Sequence, residues 1–255
     1  MAIESGIPDG ICEQCRAGHY NLCSNVRFFG TPPIDGAFAN YVTVPTQFAY
    51  LLPDNMSNEE GAMIEPLSVG LWARRKARLR GGDSVLITGA GPIGMLAMKV
   101  AFALGVAMVT ITDVSPQRLA IARHLGATQT INVAEQPLAQ AGIQADVLLE
   151  CSGNQRALID GIRSLRPAGM AVVVGMNPGE ELSVPISFIQ NWEITLTGTF
   201  RYANTYADAI ALVASGRIDV RSLITGRYPL EGAEQALQAT KQDPANIKSI
   251  VVPQK

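Results

Sequence analysis

A glycine-rich turn set between a strand pattern and a helix pattern constrains this chain more than any other feature of its sequence. Residues Ser84–Thr88 form a short, mostly apolar run, and Gly89-Ala90-Gly91-Pro92-Ile93-Gly94 follows at once. Apolar residues then recur at helical spacing through Ile93–Leu104, which gives a helix one face to pack against a sheet. This order predicts a strand, a tight turn and a helix, the first part of a βαβ unit.

The same alternation continues toward the C-terminus. Runs rich in β-branched or apolar residues alternate with helical patterns; the further strands are predicted at Met108–Thr112, Ala145–Cys151 and Met170–Gly175, and the further helices at Pro116–Leu125 and Gln155–Leu165. Near-continuous apolar strands joined by helices are typical of a parallel sheet buried on both faces. The sequence therefore predicts an α/β fold with a doubly wound parallel sheet.

The glycine turn also predicts a chemistry. Gly89 would make the tight turn, Gly91 would let the backbone approach a pyrophosphate, and Gly94 would allow close packing of helix on sheet. Asp113 stands nineteen residues after Gly94, where a carboxylate can bind both ribose hydroxyls and repel a 2′-phosphate. These residues favour NAD over NADP, although Arg118 could instead meet a 2′-phosphate. The alternative is a glycine turn in an α/β domain that binds no nucleotide.

Two later turns fall where strands should end. Cys151-Ser152-Gly153 and Val174-Gly175-Met176 follow the runs predicted as strands. Ligands of open α/β sheets bind outside the carboxyl ends of the strands, so these glycines could face the ring end of the cofactor. Both segments could equally be turns without a binding role.

The first 53 residues have a different texture, rich in Gly, Pro and Asn, with short β-leaning pieces such as Phe38–Pro45. This composition predicts an irregular, strand-based lobe. Small and apolar residues at Gly61–Trp72 then predict a helix that crosses to the α/β part. The basic run Arg74–Arg80 is interpreted as the solvated end of that helix.

Three of the four cysteines cluster in the first lobe, as Cys12-x-x-Cys15 followed by Cys23. Three thiolates could occupy three corners of a zinc tetrahedron, and His19 could serve as a fourth ligand. The alternative is a loop held by packing, with free thiols. The fourth cysteine, Cys151, ends an apolar run and is predicted to be a small buried side chain.

Charge and hydropathy exclude two classes of protein. Twenty basic and 22 acidic residues give a formal charge of −2, which provides no positive surface for nucleic acid. The apolar runs are too short for a bilayer span, so no membrane partner is expected. The residues Met1–Gly6 have neither a basic segment nor an apolar core for secretion, and a cytoplasmic location is expected.

Short motifs along nearly the whole chain resemble the zinc-dependent medium-chain dehydrogenases, in particular their sorbitol and xylitol dehydrogenase group. The matching segments are Cys12-Glu13-Gln14-Cys15, Tyr20-Asn21-Leu22-Cys23, Phe29-Gly30-Thr31-Pro32-Pro33-Ile34-Asp35-Gly36, Leu52-Pro53-Asp54-Asn55, Ile64-Glu65-Pro66-Leu67-Ser68-Val69 and Phe200-Arg201-Tyr202. The resemblance implies a Rossmann domain inserted in a partial β-rich, GroES-like catalytic domain. The implied segments are 1–66 (catalytic), 67–203 (NAD-binding) and 204–255 (returning to the catalytic domain).

The resemblance also implies roles for individual residues. The pyrophosphate would lie along Gly89, Gly91, Pro92, Ile93 and Gly94, with Asp113 and Arg118 beside the adenosine ribose. The nicotinamide end would be framed by Val174, Gly175, Met176, Thr199, Phe200 and Arg201. Glu65 would face the catalytic zinc or its water, and Arg201 with Tyr202 would line a polyol pocket. Without the resemblance, Glu65 is equally a helix-turn residue and Arg201 an ordinary surface cation.

Two departures from this group concern zinc. Members with a structural zinc use four closely spaced cysteines, and this chain has Gly18 where the third would fall, so the clustered cysteines make an incomplete site. The catalytic zinc of the group is held by a cysteine and a Gly-His-Glu motif that precede the region where this sequence begins. Neither His19 nor His124 supplies that motif.

The leading hypothesis is an N-terminally shortened, NAD-dependent enzyme that oxidises a secondary hydroxyl of a polyol to a ketose by zinc-assisted hydride transfer, with impaired activity. The alternative is a noncatalytic NAD-binding or interaction module derived from such an enzyme. A homo-oligomer, dimer or tetramer, could form through a strand edge near Leu182–Pro185.

Overall fold

A computed structural model of the chain describes residues 1–177, 179 and 181–253. Residues 178, 180, 254 and 255, which fall in the predicted segments 67–203 and 204–255, lie outside the described residues. The strands are β1 (Ala2–Ile3), β2 (Gly6–Ile7), β3 (Arg27–Phe28), β4 (Ala49–Tyr50), β5 (Ser84–Thr88), β6 (Met108–Asp113), β7 (Gln129–Asn132), β8 (Ala145–Glu150), β9 (Leu165–Val173), β10 (Thr195–Gly198), β11 (Ile224–Tyr228) and β12 (Lys248–Val251). The α-helices are α1 (Glu13–Arg16), α2 (Asn58–Ala62), α3 (Ile64–Ala77), α4 (Pro92–Ala103), α5 (Pro116–His124), α6 (Gln155–Arg163), α7 (Ile186–Asn191), α8 (Tyr206–Ala214) and α9 (Ala233–Gln242).

The chain divides into two units. Met1–Ser68 and Phe200–Lys255 form unit 1, and Val69–Thr199 forms unit 2. The domain boundaries expected from the sequence, after residues 66 and 203, remain a proposal. None of the described helices is both long and apolar enough to cross a bilayer.

Unit 2 is built on one parallel sheet. Its described strands lie in the order β10-β9-β8-β5-β6-β7, so the chain runs from β5 to one edge and then returns to β8 and the other edge. The order in which successive strands are added to the sheet reverses between β5 and β8. Open α/β sheets bind ligands at such a switch point. The sheet is parallel throughout, and the doubly wound fold expected from the sequence is observed.

Burial explains why these residues form strands. The central residues of β5, β6 and β8 include Ile87, Ile111 and Leu148, none of which is exposed. Helices cover both faces of such a sheet, and side chains on both faces of each strand are therefore apolar. The predicted strand and helix bounds differ from the observed ones by a few residues at their ends, and β7 and β10 have no counterpart in the sequence analysis.

Local capping residues start the helices of unit 2. Pro92 is the first residue of α4, where its missing N–H costs no hydrogen bond. The Ser115 hydroxyl accepts a hydrogen bond from the Arg118 N–H at the start of α5. Asn154 Oδ1 accepts from two N–H groups at the start of α6. Each helix therefore begins directly after the carboxyl end of a strand and its turn.

Unit 1 combines short strand pairs with helices. β1 pairs with β4 and β2 with β3, both antiparallel, while β11 and β12 are parallel. Ser57 and Glu60 form a reciprocal capping box at the start of α2. A bidentate ion pair joins the Arg227 guanidinium to the Glu59 carboxylate, with both N–O distances 2.7 Å.

Three expectations about local structure are wrong. Phe38–Pro45 is not a strand, because none of the residues that the structure describes pairs with it, and Tyr41 in this segment is 92% exposed. Gly61–Trp72 is divided between α2 and α3, since Pro66 has no N–H to continue a helix from α2. Leu182–Pro185 forms no strand edge; it leads into α7, and the outer strand on that side is β10.

Candidate functional site

The carboxyl ends of the central strands of unit 2 lie in one row. Thr88 is in register with Thr112 on one side and with Glu150 on the other. Outside this row lies a cleft of about 440 Å³, lined by residues that include Gly89, Asp113, Ser152 and Arg156. A cleft of this size is large enough for a substantial part of a dinucleotide.

The glycine turn has the shape that a pyrophosphate requires. Gly89 has a φ of +94°, a conformation that glycine adopts readily. A side chain at Gly94 would collide with the Gly89 carbonyl oxygen, so α4 packs directly against the turn. A Cβ at Gly91 would meet nothing within 4 Å. The space beside Gly91, at the positive end of α4, is therefore open for a phosphate group.

Asp113 ends β6 and faces the same cleft. Its Oδ2 accepts a hydrogen bond from the Ala90 N–H and its Oδ1 from the Ser115 N–H, both at 2.8 Å. These contacts fix the carboxylate between the glycine turn and the start of α5. Each carboxylate oxygen can accept a further hydrogen bond, as from a ribose hydroxyl. Arg118 lies half-buried in the first turn of α5.

Glu150, at the end of β8, is a functional candidate that the sequence analysis missed. It is 1% exposed, and its Oε1 accepts hydrogen bonds from the Ser152 N–H at 2.8 Å and the Gly153 N–H at 3.0 Å. The hydroxyls of Thr88 and Ser152 also donate to Oε1. In the sequence this residue follows an apolar run, with no motif to distinguish it from a strand end.

The predicted nicotinamide residues are divided between the two units. Val174 and Gly175 both donate N–H hydrogen bonds of 2.8 Å to the Glu150 carbonyl oxygen. A side chain at Gly175 would collide with the Gly153 backbone, so this turn packs against the one after β8. Met176 is 87% exposed. Thr199 ends unit 2, and Phe200 and Arg201 belong to unit 1.

The predicted catalytic residues Glu65, Arg201 and Tyr202 all lie in unit 1. Burial raises the pKa of Glu65, while the nearby Tyr202 hydroxyl and the charges of Lys248 and Arg201 act to lower it. Burial, with the nearby Glu65, raises the pKa of Tyr202 far above its usual range. The three side chains are therefore close enough to act on one another electrostatically.

Arg201 has an unusual environment. Its φ is +51°, and its guanidinium lies 3.9 Å from the centre of the Phe28 ring and 4.8 Å from that of Phe200. The Nη1 atom of Arg201 and the hydroxyl of Tyr202 are buried without a hydrogen-bond partner among the described residues. Both residues line a cavity of about 10 Å³ with Glu4, which has room for about one water molecule to satisfy these polar atoms.

The clustered cysteines have a fourth neighbour that completes a possible metal centre. The ligand atoms of Asp9, Cys12, Cys15 and Cys23 all lie within 4.8 Å of one another. Three sulfurs and one carboxylate oxygen are a suitable tetrahedral set for zinc. The expectation of an incomplete site counted only the three cysteines; Asp9 supplies a fourth ligand atom close to them, and His19 does not belong to this group.

Local hydrogen bonds hold this cluster together. Asp9 Oδ1 accepts from the N–H groups of Ile11 and Cys12, and Asp9 Oδ2 accepts from the Asn25 amide. The Asn25 hydrogen bond, followed by those from the backbone, holds the pKa of Asp9 well below its usual range. The equal spacing Asp9-x-x-Cys12-x-x-Cys15 is the sequence signal that could have identified Asp9.

The described residues offer no comparable set of ligand atoms for a catalytic zinc. Within the described parts of the chain, the only group of three or more His, Cys, Asp or Glu ligand atoms with suitable spacing is the one around Asp9. Glu65 belongs to no such group; it lines a separate cleft of about 270 Å³ in unit 1. The residues described here therefore do not fit a catalytic zinc, and Glu65 alone does not define one.

Comparison with known families places two segments of the chain. Residues 92–215 match the model described as zinc-binding dehydrogenase, and residues 2–54 match the alcohol dehydrogenase GroES-like domain. The first match includes the end of the glycine turn and Asp113. The second includes Asp9, Cys12, Cys15 and Cys23, which we call the Asp9 cluster.

Individual proteins match over most of the chain. Sorbitol dehydrogenase of Bacillus subtilis is 40% identical over 250 residues, which are 95% of this chain and 70% of that protein. D-xylulose reductase of Saccharomyces cerevisiae is 40% identical over 98% of this chain and 74% of its own length. The crystal structure of L-idonate 5-dehydrogenase from Escherichia coli superposes with a TM-score of 0.91 at 30% identity, covering 98% of this chain and 74% of that one.

Proposed function

Because the chain belongs to the zinc-dependent medium-chain dehydrogenases, in their polyol dehydrogenase group, we propose that it oxidises a secondary hydroxyl of a polyol to a ketose with NAD. The relatives named sorbitol dehydrogenase and D-xylulose reductase support a sugar alcohol as the substrate class.

One observation carries the proposal, the open glycine turn with a carboxylate beside it. The space at Gly91 lies at the N-terminus of α4, and Asp113 stands at the end of the neighbouring strand. Two anchored carboxylate oxygens favour a ribose diol and disfavour a ribose 2′-phosphate. The site is therefore proposed to prefer NAD to NADP.

The proposed roles of the other residues follow from their positions. NAD, when bound, supplies the acceptor for a hydride from the carbinol carbon. Gly89 to Gly94 and Asp113 bind and orient the dinucleotide, and Val174, Gly175 and Met176 stand at the strand ends on the other side of the turn. Arg201 and Tyr202 are proposed to line the polyol pocket, as the family resemblance implies, although the cavity that they line in this structure has room for about one water molecule. Glu65 provides a half-buried carboxyl group whose pKa is raised by burial.

The test measures cofactor binding and turnover in the purified chain. Fluorescence titration should show saturable NADH binding, and NAD reduction should be followed with sorbitol, xylitol and ethanol as substrates. Tighter binding of NADH than of NADPH, with weak turnover of a polyol and none of ethanol, is the expected result, because the described residues offer no ligand set for a catalytic zinc. Failure to bind NADH would contradict the whole proposal, whereas binding without turnover would contradict the enzymatic part alone.

We also propose that Asp9, Cys12, Cys15 and Cys23 hold a structural zinc ion. Emission spectroscopy should find about one zinc per chain, because a complete four-ligand set binds the ion tightly. Asp9→Ala should lower the zinc content on dialysis against a weak chelator. Asp54→Ala, which removes an exposed carboxylate outside the cluster, is the control and should retain zinc. Equal zinc loss from both variants would contradict the assignment.

A noncatalytic NAD-binding module is the second candidate. It is favoured by one observation: the described residues provide a cofactor cleft in unit 2 but no ligand set for a catalytic zinc. NADH binding together with no turnover of any polyol, even after zinc is added, would support this candidate.

Self-association is proposed through the exposed outer strand of the parallel sheet. β10 is at the edge of the described sheet, and Leu196 in this strand is 37% exposed. Unpaired edge strands can pair with a second copy. Light scattering should then report a dimer or tetramer, and Leu196→Lys should shift it toward the monomer.

A further inference from the structure

A buried carboxylate lies among the residues at the carboxyl ends of the central strands of unit 2. Glu150 is the last residue of β8 and is in register with Thr88 of β5 and Val173 of β9. It is 1% exposed. A carboxyl group in this position is costly unless its surroundings stabilise it, since burial disfavours the charged form.

The surroundings of Glu150 stabilise an anion. Two backbone N–H groups, from Ser152 and Gly153, and two hydroxyls, from Thr88 and Ser152, donate hydrogen bonds to Oε1. The Gly153 N–H also lies 3.2 Å from Oε2. None of the partners that the structure describes for Glu150 is a cation. Its charge is therefore supported by dipoles and is not cancelled by a neighbouring positive group.

The cysteine next to Glu150 responds to this charge. Burial, followed by the charge of Glu150, raises the pKa of the Cys151 thiol far above its usual range. A negative charge in this region disfavours a second negative charge and favours a positive one.

The topology of the sheet places the cofactor ring on the Glu150 side. Asp113, on β6, marks the adenosine side of the glycine turn, and β8 lies on the opposite side of β5. A dinucleotide binds across the switch point, with one nucleotide on each side of the pyrophosphate. The nicotinamide half therefore extends over the ends of β8 and β9, where Glu150 supports the turn at Ser152 and Gly153.

We infer that Glu150 is a specificity-determining charge that shifts the binding preference of this site toward the oxidised cofactor. The nicotinamide ring carries a positive charge in NAD⁺ and none in NADH, so an anion at the strand ends over which this half of the cofactor extends stabilises NAD⁺ selectively. The inference rests on the proposed NAD-binding function. It adds that Glu150, a residue outside the glycine motif, changes the relative affinities of the site for NAD⁺ and NADH.

The test compares the ratio of two dissociation constants, Kd(NAD⁺)/Kd(NADH), between variants. NADH is titrated by its fluorescence, and NAD⁺ is measured by competition with NADH. Glu150→Gln removes the charge while preserving size, and we expect it to raise the ratio about tenfold, the effect of a unit charge in a partly buried site. A role limited to supporting the turn would weaken both cofactor forms equally and leave the ratio unchanged.

Two variants control for other effects. Glu150→Asp keeps the charge but disturbs the hydrogen bonds, so both constants should rise while the ratio stays within about twofold of the wild type. Asp146→Asn removes a carboxylate from the opposite end of β8, about 13 Å away along the strand, and should leave the ratio unchanged. A ratio that moves as far in Asp146→Asn as in Glu150→Gln would overturn the inference.

Folding and the proposed function are checked separately. Thermal unfolding verifies each variant, and Glu150→Thr provides a second uncharged side chain that is compatible with a strand. If both uncharged variants fail to fold while Glu150→Asp folds, the charge serves stability and the inference is overturned. If the wild type does not bind NADH, the proposed function itself fails; if it binds and the ratio does not respond, only the role of Glu150 fails.

Discussion

At the scale of single residues, the function of a carboxylate in this protein is decided by the groups that donate to it. Asp113 accepts from the N–H groups of Ala90 and Ser115, which aim it at the cleft. Asp9 accepts from two N–H groups and from the Asn25 amide, which hold it beside three sulfurs. The same side chain therefore suits a ribose in one place and a metal in the other.

Removal of the Asp113 carboxylate should alter cofactor choice. We expect Asp113→Ala to weaken NADH binding about tenfold and NADPH binding much less, because only the former loses charge-assisted hydrogen bonds to the ribose. Fluorescence titration of both cofactors measures this. Asp113→Asn, which retains an acceptor for the Ala90 N–H, separates loosening of the glycine turn from loss of the ribose contacts. Equal losses for NADH and NADPH would count against the ribose assignment.

The buried Glu4 should make unit 1 sensitive to pH. Glu4 is 1% exposed and accepts from the hydroxyls of Tyr20 and Tyr50, yet burial outweighs these contacts and raises its pKa. A carboxyl group with a raised folded-state pKa stabilises the fold most below its unfolded pKa and loses that contribution as the pH rises through the folded pKa.

We therefore expect Glu4→Gln to gain stability relative to the wild type as the pH rises from 4 to 7. The gain should be about 1.4 kcal/mol for each pH unit between the folded and unfolded pKa values of Glu4. Urea unfolding at several pH values measures it. A difference in the free energy of unfolding that does not vary with pH would show that Glu4 is not the titrating group.

Residues with a motif could be predicted from the sequence, and residues without one could not. Asp113 follows Gly94 at a spacing that the cofactor itself dictates, so its position was available from the sequence. Asp9 was missed because zinc ligands were sought among cysteine and histidine. Glu150 was missed because its hydrogen-bond partners, such as Thr88, belong to a strand 62 residues away.

At the scale of elements, two of the three glycines that join β5 to α4, Gly91 before the helix and Gly94 in its first turn, have different constraints. A Cβ at Gly94 would collide with the Gly89 carbonyl oxygen, whereas a Cβ at Gly91 would meet no protein atom within 4 Å. Packing within the protein therefore requires a glycine at position 94, whereas only the bound cofactor would require one at position 91.

This difference gives a paired experiment. We expect Gly94→Ala to lower the free energy of unfolding by about 2 kcal/mol, since its methyl group overpacks the turn. Gly91→Ala should change stability by less than about 0.5 kcal/mol but weaken NADH binding about tenfold. Chemical unfolding and NADH titration measure the two effects. Unchanged NADH binding in Gly91→Ala would contradict the pyrophosphate position.

The strands of unit 2 were predictable for a reason that does not hold in unit 1. Buried parallel strands contain near-continuous apolar runs, so β8, with Val147, Leu148 and Leu149 at its centre, is visible in the sequence. Whether Phe38–Pro45 forms a strand depends on a pairing partner, which local sequence does not specify. Leu182–Pro185 shows the same limit, since its local sequence did not reveal that Pro185 precedes a helix.

At the scale of the whole molecule, the two proposed ligands belong to different units. The Asp9 cluster lies in unit 1, and the glycine turn lies in unit 2. A ligand that binds only the folded form stabilises the unit that holds it, by about 2.7 kcal/mol at a concentration one hundred times its Kd.

We expect calorimetry to resolve this division. A strong chelator should lower the unfolding temperature of one transition, and saturating NADH should raise that of another. Asp9→Ala should reproduce the effect of the chelator without altering the response to NADH. A single transition that both treatments shift by the same amount would contradict independent stabilisation of the two units.

The composition of unit 1 from two distant segments has a consequence for synthesis on the ribosome. The Tyr20 hydroxyl accepts a hydrogen bond from the Asn204 N–H, and the Tyr206 hydroxyl donates to the Ile3 carbonyl oxygen, so residues about 200 apart must meet. Translation delivers the N-terminal segment first and its partner last, with all of unit 2 in between. While the sheet of unit 2 can form as soon as it emerges, the buried face around Glu4 stays open to water and to chaperones until the final segment arrives.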